Sequence, residues 1–187
     1  MHLRSGQIVS RPRLKDGSTV TIRTPRSGDV DELLAFINGL VKEDAMVLAN
    51  KPFKRKEEVR WLRDTLKGLK TGKKIYLVAE VNGKIVGGTE ITRDSGKSEH
   101  VGGFGISIKD GYRNAGLGTA LANEVIKQAK KSGFKLVTLE VFECNPRAIH
   151  TYEKVGFRRV GRIPKKLYHK GRYVGGIQMA QEISRME

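Results

Sequence analysis

The chain has 187 residues, and Lys and Arg outnumber Asp and Glu by 36 to 20, which gives a formal net charge of +16. Its residues are 38% hydrophobic and 30% charged, and no apolar stretch approaches the ~20 residues of a membrane helix, so we expect a soluble globular protein with no membrane partner. The first residues lack the apolar core of a secretory signal, and the expected location is therefore cytoplasmic.

The first predicted elements are a hairpin and two amphipathic helices. Gln7–Leu14 and Ser18–Thr24 alternate loosely in polarity around the turn signal Asp16-Gly17, which predicts two antiparallel strands. Asp29 is expected to cap the first helix, and a second helix is expected over about Lys54–Leu69. Its apolar face is expected to consist of residues three or four apart: Val59, Leu62, Leu66 and Leu69.

Three strands and a long helix are predicted next. Ile75–Val81 and Lys84–Thr92 flank Asn82-Gly83, a sequence typical of a type I′ hairpin turn. The third strand, Glu99–Lys109, contains three glycines, which often mark a bulge or the close approach of a ligand. The helix is expected over about Gly116–Ser132, where apolar residues recur at helical spacing.

The last part of the chain predicts a central strand, a short helix and a hairpin. Leu136–Phe142 is almost continuously apolar, as in a strand buried on both faces. Asn145 followed by Pro146 is a typical helix start. Phe157–Tyr168 and Arg172–Glu182 are expected to form the final strand pair. The order β-β-α-α-β-β-β-α-β-α-β-β predicts an α/β (α+β) protein with helices on a mixed sheet.

A glycine-containing loop carries the clearest chemical signal, and it lies between a strand and the long helix. It reads Tyr112-Arg113-Asn114-Ala115-Gly116-Leu117-Gly118-Thr119. Glycines let backbone N–H groups approach an anion, and a helix N-terminus adds roughly half a positive charge. The loop lacks the Lys of a Walker motif and the third small residue of a dinucleotide fingerprint. It therefore predicts a phosphate-binding loop of another kind or, as the alternative, a tight turn at a helix start.

Two motifs follow one another along the chain. The first is Arg113-x-x-Gly116-x-Gly118, and the second is Leu139-Glu140-Val141 followed by Asn145-x-x-Ala148-Ile149-x-x-Tyr152-Glu153-Lys154-x-Gly156-Phe157. The first resembles the pyrophosphate loop of the GCN5-related N-acetyltransferase (GNAT) family, Arg/Gln-x-x-Gly-x-Gly/Ala, and the second is similar to a downstream signature of that family. The resemblance is close over about Lys74–Phe157.

The resemblance implies a GNAT fold for one domain over residues 1–187, with residues 1–15 as an N-terminal edge-strand extension. In that fold the mixed central sheet is splayed between the family's fourth and fifth strands, with helices on both faces. Those strands correspond here to Gly102–Lys109 and Leu136–Phe142. The predicted first hairpin adds an extra N-terminal strand.

The resemblance also implies acetyl-CoA as the co-substrate, with its pantetheine arm in the gap between those two strands. Backbone N–H groups at Ile106 to Ile108 are expected to bind the pantetheine and to polarise the thioester carbonyl. The residues expected to contact the cofactor are Ile106, Ser107, Ile108, Arg113, Asn114, Ala115, Gly116, Leu117, Gly118, Thr119, Asn145, Ala148 and Tyr152.

Catalytic roles are implied for a few side chains. Tyr152 resembles the family's general acid, which protonates the departing thiolate; the alternative is a core aromatic on an amphipathic helix. The general base stays open among ionisable residues expected on the central strands: Glu90, Glu99, His100 and Glu140. Cys144 is the only cysteine and is expected to be structural; with one cysteine, an internal disulfide and a cysteine-based zinc site are excluded, and no metal is predicted.

The amine acceptor is not fixed by the motifs. By resemblance, the first two helices and the loop over about Lys165–Tyr173 form its site. Lys and Arg at this rim are expected to repel polyamines and to tolerate a carboxylate or phosphate. Amino acid-like small molecules and protein N-termini, such as that of a ribosomal protein, remain as alternatives.

Two other functions stay open. The charge of +16 favours an anionic partner, so a nucleic-acid-binding module, or contact with the ribosome, is one alternative. A non-catalytic acyl-CoA-binding protein on the same fold is the other. The sequence does not fix the oligomeric state; because dimers are common in the family, the resemblance leaves a homodimer open.

Overall fold

A computed structural model describes residues 3–184, and its elements follow the predicted order. The strands are β1 (Ile8–Ser10), β2 (Thr21–Arg23), β3 (Lys74–Val81), β4 (Lys84–Arg93), β5 (Val101–Ile108), β6 (Leu136–Phe142), β7 (Arg158–His169) and β8 (Arg172–Glu182). The helices are α1 (Val30–Lys42), α2 (Arg55–Thr71), α3 (Leu117–Lys131) and α4 (Pro146–Lys154). None of the helices within this range is long and apolar enough to cross a membrane.

The strands form one mixed sheet in the order β1-β2-β3-β4-β5-β6-β8-β7. Each neighbouring pair is antiparallel except β5 and β6, which run parallel. The predicted N-terminal hairpin places β1 at one edge of the sheet, although both of its strands are shorter than expected. The mixed sheet with an extra N-terminal strand is confirmed.

The sheet opens between β5 and β6. The two strands pair at only three positions, Val101–Gly103 against Leu136–Thr138, and separate after that. The Lys109 N–H donates to the Val86 carbonyl on the β4 side, at 2.9 Å. Because strand backbone groups alternate in direction, the N–H groups of Ile106 and Ile108 face the gap. The predicted splay is therefore confirmed.

Helices cover both faces of the sheet. Alternating residues of β3 enter two different cores, so that Leu77 packs with α3 whereas Tyr76 and Val78 pack with α1 and α2. The predicted core face of α3 is fully buried: Leu117, Leu121, Val125 and Ala129. The first core holds α3 on one face of the sheet, and the second core holds α1 and α2 on the other face.

The buried face of α2 differs from the prediction at two of its four positions, where Glu58 and Thr65 are buried in place of Val59 and Leu66. Val59 is 41% exposed, whereas Glu58 is 6% exposed. The buried side chains of α2 are Glu58, Leu62, Thr65 and Leu69. Neighbouring helical positions are about 100° apart, so this shift turns a carboxylate toward the sheet.

Asp29 precedes α1 as predicted, but its side chain does not cap that helix. Its carboxylate instead accepts two hydrogen bonds from the guanidinium of Arg23, at 2.6 and 2.9 Å, and one from the Arg26 N–H at 2.8 Å. Burial alone would raise the pKa of Asp29, but the bonds from Arg23 and Arg26 outweigh it and hold the pKa below its usual value. The Asp29 carboxylate therefore forms charge-assisted hydrogen bonds with the buried guanidinium of Arg23 and does not bond to the N–H groups at the start of α1.

Two of the β5 glycines have different surroundings. A Cβ on Gly102 would overlap Ile91 and lie 2.8 Å from the Phe134 ring, whereas a Cβ on Gly103 would meet only the Thr92 carbonyl, at 3.9 Å. Gly102 is thus required for the contact between β5 and the core, directly beside the point where β5 and β6 separate.

We expect Gly102→Ala to lower the free energy of unfolding by about 2 kcal/mol, since an inserted methyl group overpacks the core. Gly103→Ala is the matched control and should change stability little. Urea denaturation monitored by circular dichroism measures both. Equal stability of the two variants would contradict the assigned packing role of Gly102.

Candidate active site

The gap between β5 and β6 opens into a cavity of about 1110 Å³. All of the predicted cofactor contacts line this cavity except Ala115 and Leu117. Leu117 is 1% exposed in the core, and the Ala115 carbonyl accepts the Lys15 N–H at 3.1 Å. The structure therefore brings residues from both motifs to one cavity, and it ties the N-terminal segment to the glycine loop.

The start of α3 forms an anion-binding geometry at this cavity. Gly116 precedes the helix with a φ of 89°, and Ala120 makes a helical bond to its carbonyl at 3.1 Å. Gly116 has no side chain that could cap the helix, and the first turn carries no acidic residue. The first amides of a helix have no intrahelical acceptor, so those following Gly116 can receive a phosphate.

Basic side chains from several segments line the same cavity: Lys15, Arg113, Arg147, Lys154 and Lys170. Arg113 is held in place, because its Nε donates to the Ile108 carbonyl at 2.9 Å and its Nη2 lies 2.5 Å from Glu43 Oε1. Arg113 thus fixes the loop to β5 and α1. Lys170 belongs to the predicted basic rim and Lys154 to the second motif, whereas Lys15 and Arg147 were not singled out from the sequence.

Tyr152 lies on α4 at the base of the cavity. Its ring packs edge-on against Phe104, with centroids 5.6 Å apart, and near Phe157 at 6.1 Å. Asn145 begins α4 as predicted, and its Oδ1 accepts the Ala148 N–H at 3.1 Å. Burial raises the pKa of Tyr152 to about 12, so its hydroxyl stays protonated at neutral pH.

The structure places two of the four predicted base candidates at the large cavity and the other two away from it. Glu90 and Glu140 line the large cavity. Glu99 and His100 precede β5, are exposed, and lie at the end of that strand opposite Ser107. Their predicted position on a central strand is wrong, because β5 begins only at Val101.

A second, smaller pocket of about 280 Å³ lies between α1, α2 and the sheet. It shares Glu90, Gly105, Ile106 and Ser107 with the large cavity, so the two spaces meet at β5. Glu58 also lines this pocket, and burial raises its pKa to about 7. Glu58 was missed from the sequence; a glutamate four residues before Leu62 in the apolar stripe was the available signal.

Of the Lys and Arg residues in the predicted rim, Lys170 lines the large cavity, together with Leu167 and His169. Residues 165–173 do not line the small pocket, and most of them belong to β7 and β8. His169 was also missed; it is buried, and its Nδ1 lies 3.8 Å from Asp44 Oδ2. Among residues 3–184, no group of three or more His, Cys, Asp or Glu side chains is placed to hold a metal ion.

Comparison with known proteins gives a consistent result. Residues 41–157 match the model of the Acetyltransferase (GNAT) family. The chain is 31% identical over 158 residues to an N-alpha-acetyltransferase of Sulfurisphaera tokodaii, covering 78% of this chain and 84% of that protein. It is 33% identical over 107 residues to an L-amino acid N-acetyltransferase of Escherichia coli, covering 56% of this chain and 66% of that protein. The chain spans 61% of the length of another curated relative.

Solved structures have the same architecture. An acetyltransferase of the GNAT family from Streptococcus pneumoniae has a TM-score of 0.80 and 31% identity, covering 87% of this chain and 99% of that chain. A phosphinothricin acetyltransferase from Sinorhizobium meliloti in complex with acetyl-CoA has a TM-score of 0.79 at 17% identity, covering 89% of this chain and 90% of that chain, and its likeness concerns the fold alone. Since the family model spans more than half of the sequence, the chain belongs to the GNAT family of acetyltransferases.

Proposed function

We propose that the protein transfers the acetyl group of acetyl-CoA to a primary amine by direct attack on the thioester. The observation that carries this proposal is the meeting of two spaces at Gly105–Ser107, where β5 has parted from β6. The large cavity suits a long phosphate-bearing cofactor, and the small pocket suits a compact acceptor. An amine in the small pocket would face an acyl group held at β5.

Acetyl-CoA supplies an activated acyl group together with phosphates and amides that the large cavity fits. The uncapped start of α3 receives the pyrophosphate, with Lys15, Arg147 and the other basic residues around it. The gap-facing N–H groups of Ile106 and Ile108 bind the pantetheine amides and the thioester carbonyl. Donors held at that carbonyl stabilise the negative charge that develops there; loss of one such donor typically costs about 3 kcal/mol.

Tyr152 protonates the departing thiolate. Its raised pKa of about 12 keeps the proton on the hydroxyl over the physiological range, as a general acid requires. Its ring is held by Phe104 and Phe157, so the hydroxyl has a fixed position on the cavity wall. The packing role and the chemical role of Tyr152 are therefore compatible.

The proton of the amine goes to a carboxylate that lines one or both of the two spaces. Glu90 lines both spaces and remains a candidate base, as does Glu140, which accepts a hydrogen bond from Gln178. Glu58 joins them, because its pKa of about 7 lets it accept a proton near neutral pH.

Both kinds of acceptor expected from the sequence have support among the relatives. The Sulfurisphaera tokodaii protein is named for N-alpha-acetylation and the Escherichia coli protein for L-amino acid acetylation. The proposed acceptors are therefore an amino acid-like small molecule or a protein N-terminus, such as that of a ribosomal protein.

We expect Thr119→Glu to weaken acetyl-CoA binding at least about tenfold relative to Thr119→Gln, because it places a negative charge where the pyrophosphate lies. Thr119 is half-buried in the first turn of α3, where Glu is compatible with helix formation. Calorimetric titration of acetyl-CoA measures both affinities. Equal affinities in two folded variants would argue against a phosphate site at α3.

We expect Tyr152→Phe to lower turnover about 100-fold, because the thiolate then departs without its proton donor. The ring contacts with Phe104 and Phe157 are kept, so acetyl-CoA affinity should change little. Thiol release over about pH 6 to 9 measures turnover. Tyr173→Phe, at a residue that is 70% exposed and lines neither space in the structure, is the control and should retain full activity. Unchanged turnover of Tyr152→Phe across this range would remove Tyr152 from the acid role.

A further inference from the structure

The small pocket has an apolar, aromatic wall. Four rings line it: Phe36, Phe53, Trp61 and Tyr76. Trp61 and Tyr76 meet edge to face, with centroids 4.8 Å apart, and Phe53 is 38% exposed. These surfaces favour an apolar body on the ligand over a polar one.

The charged lining of this pocket is acidic. Of the described residues around it, Glu57, Glu58 and Glu90 carry charge, and none is Lys, Arg or His. Glu57 accepts the Lys54 N–H at 2.7 Å and so caps α2. Lys74 Nζ lies 2.5 Å from Glu90 Oε2. Glu58 is 6% exposed, and its carboxylate has no hydrogen bond or ion pair within residues 3–184.

The ammonium of Lys74 does not form an ion pair with the carboxylate of Glu58. The Lys74 ammonium lies over the rings of Trp61 and Tyr76, 5.1 and 5.6 Å from their centroids, and its charge is matched by Glu90. Glu58, Tyr76 and Glu90 line the same pocket, and burial, together with the charges of Glu90 and Glu58, raises the pKa of Tyr76. A buried carboxylate without a partner is costly, and a cationic ligand would offset that cost.

We propose that the small pocket binds the protonated amine of the acceptor at Glu58 and Glu90, with an apolar side chain against its rings, and disfavours acceptors that carry a carboxylate beside the amine. This inference rests on the proposed function and narrows its acceptor. A free amino acid would bring its carboxylate toward Glu57 and Glu58, while Lys74 is already paired with Glu90, and like charges at short range are unfavourable. The N-terminal residue of a peptide presents an amide at that position instead. The favoured acceptor is therefore an apolar N-terminal residue or its amide.

Trp61 gives a direct test, because it is the only tryptophan of the chain and lines the pocket. Leucinamide, leucine and 3-methylbutylamine share a side chain and an amine, and only leucine has the carboxylate. Each is titrated into the protein saturated with coenzyme A, which has no acetyl group to transfer, and into the free protein, and Trp61 fluorescence is followed. Leucinamide and 3-methylbutylamine should bind at least about tenfold more tightly than leucine, in accord with the cost of like-charge contact.

Variants in which an uncharged amide replaces a carboxylate test which residue causes the preference for leucinamide over leucine. Glu58→Gln should weaken leucinamide binding and bring its affinity closer to that of leucine. Asp64→Asn removes a carboxylate from the same helix at a residue outside the pocket lining, and it should leave both affinities unchanged. Circular dichroism checks that both variants are folded. Equal effects of the two substitutions would contradict a specific role for Glu58.

The outcomes separate this inference from the proposed function. Leucine binding as tightly as leucinamide, or no fluorescence response to any of the three ligands, would overturn the inference even if acetyl-CoA binds. Failure to bind acetyl-CoA, with selective binding of leucinamide retained, would instead refute the proposed transfer reaction and leave the amine specificity of the pocket supported.

Discussion

The site depends on the early end of pairing between β5 and β6. After Gly103 and Thr138 their facing edges no longer pair with each other, and buried backbone groups without partners are costly. The rings of Phe104, Tyr152 and Phe157 pack together below this opening. A ligand that carries amide groups can form hydrogen bonds with these unpaired backbone groups. The pantetheine arm of acetyl-CoA is such a ligand. The same opening joins the large cavity to the small pocket.

Elements that depend on local chemistry were predictable from the sequence. Asn82-Gly83 adopts the positive φ values of its turn, Asn145 caps α4, and the glycine loop precedes α3. These features depend on a few adjacent residues. The family resemblance, carried by motifs on those elements, supplied the splayed sheet and the cavity lining.

The predictions that were wrong concern features that depend on tertiary packing. On α2, Val59 and Glu58 are neighbours, and only packing against the sheet decides which is buried; the apolar residue was the reasonable choice and is the exposed one. The net charge of +16 likewise conceals a local difference: basic and acidic residues both line the large cavity, whereas the charged residues that line the small pocket are glutamates. A net charge summed over the sequence says nothing about where the charges lie. The acceptor site was therefore expected to tolerate a carboxylate, and the acidic lining of the small pocket was not predicted.

Residue-resolved amide hydrogen exchange by NMR, with and without acetyl-CoA, tests the central claim most directly. The account predicts slower exchange on binding at Ile106 and Ile108, whose N–H groups face the gap, and in the first turn of α3, while the edge strand β1, which does not line the cavity, is unchanged. Saturating acetyl-CoA that leaves these amides unaffected and protects another segment would contradict it.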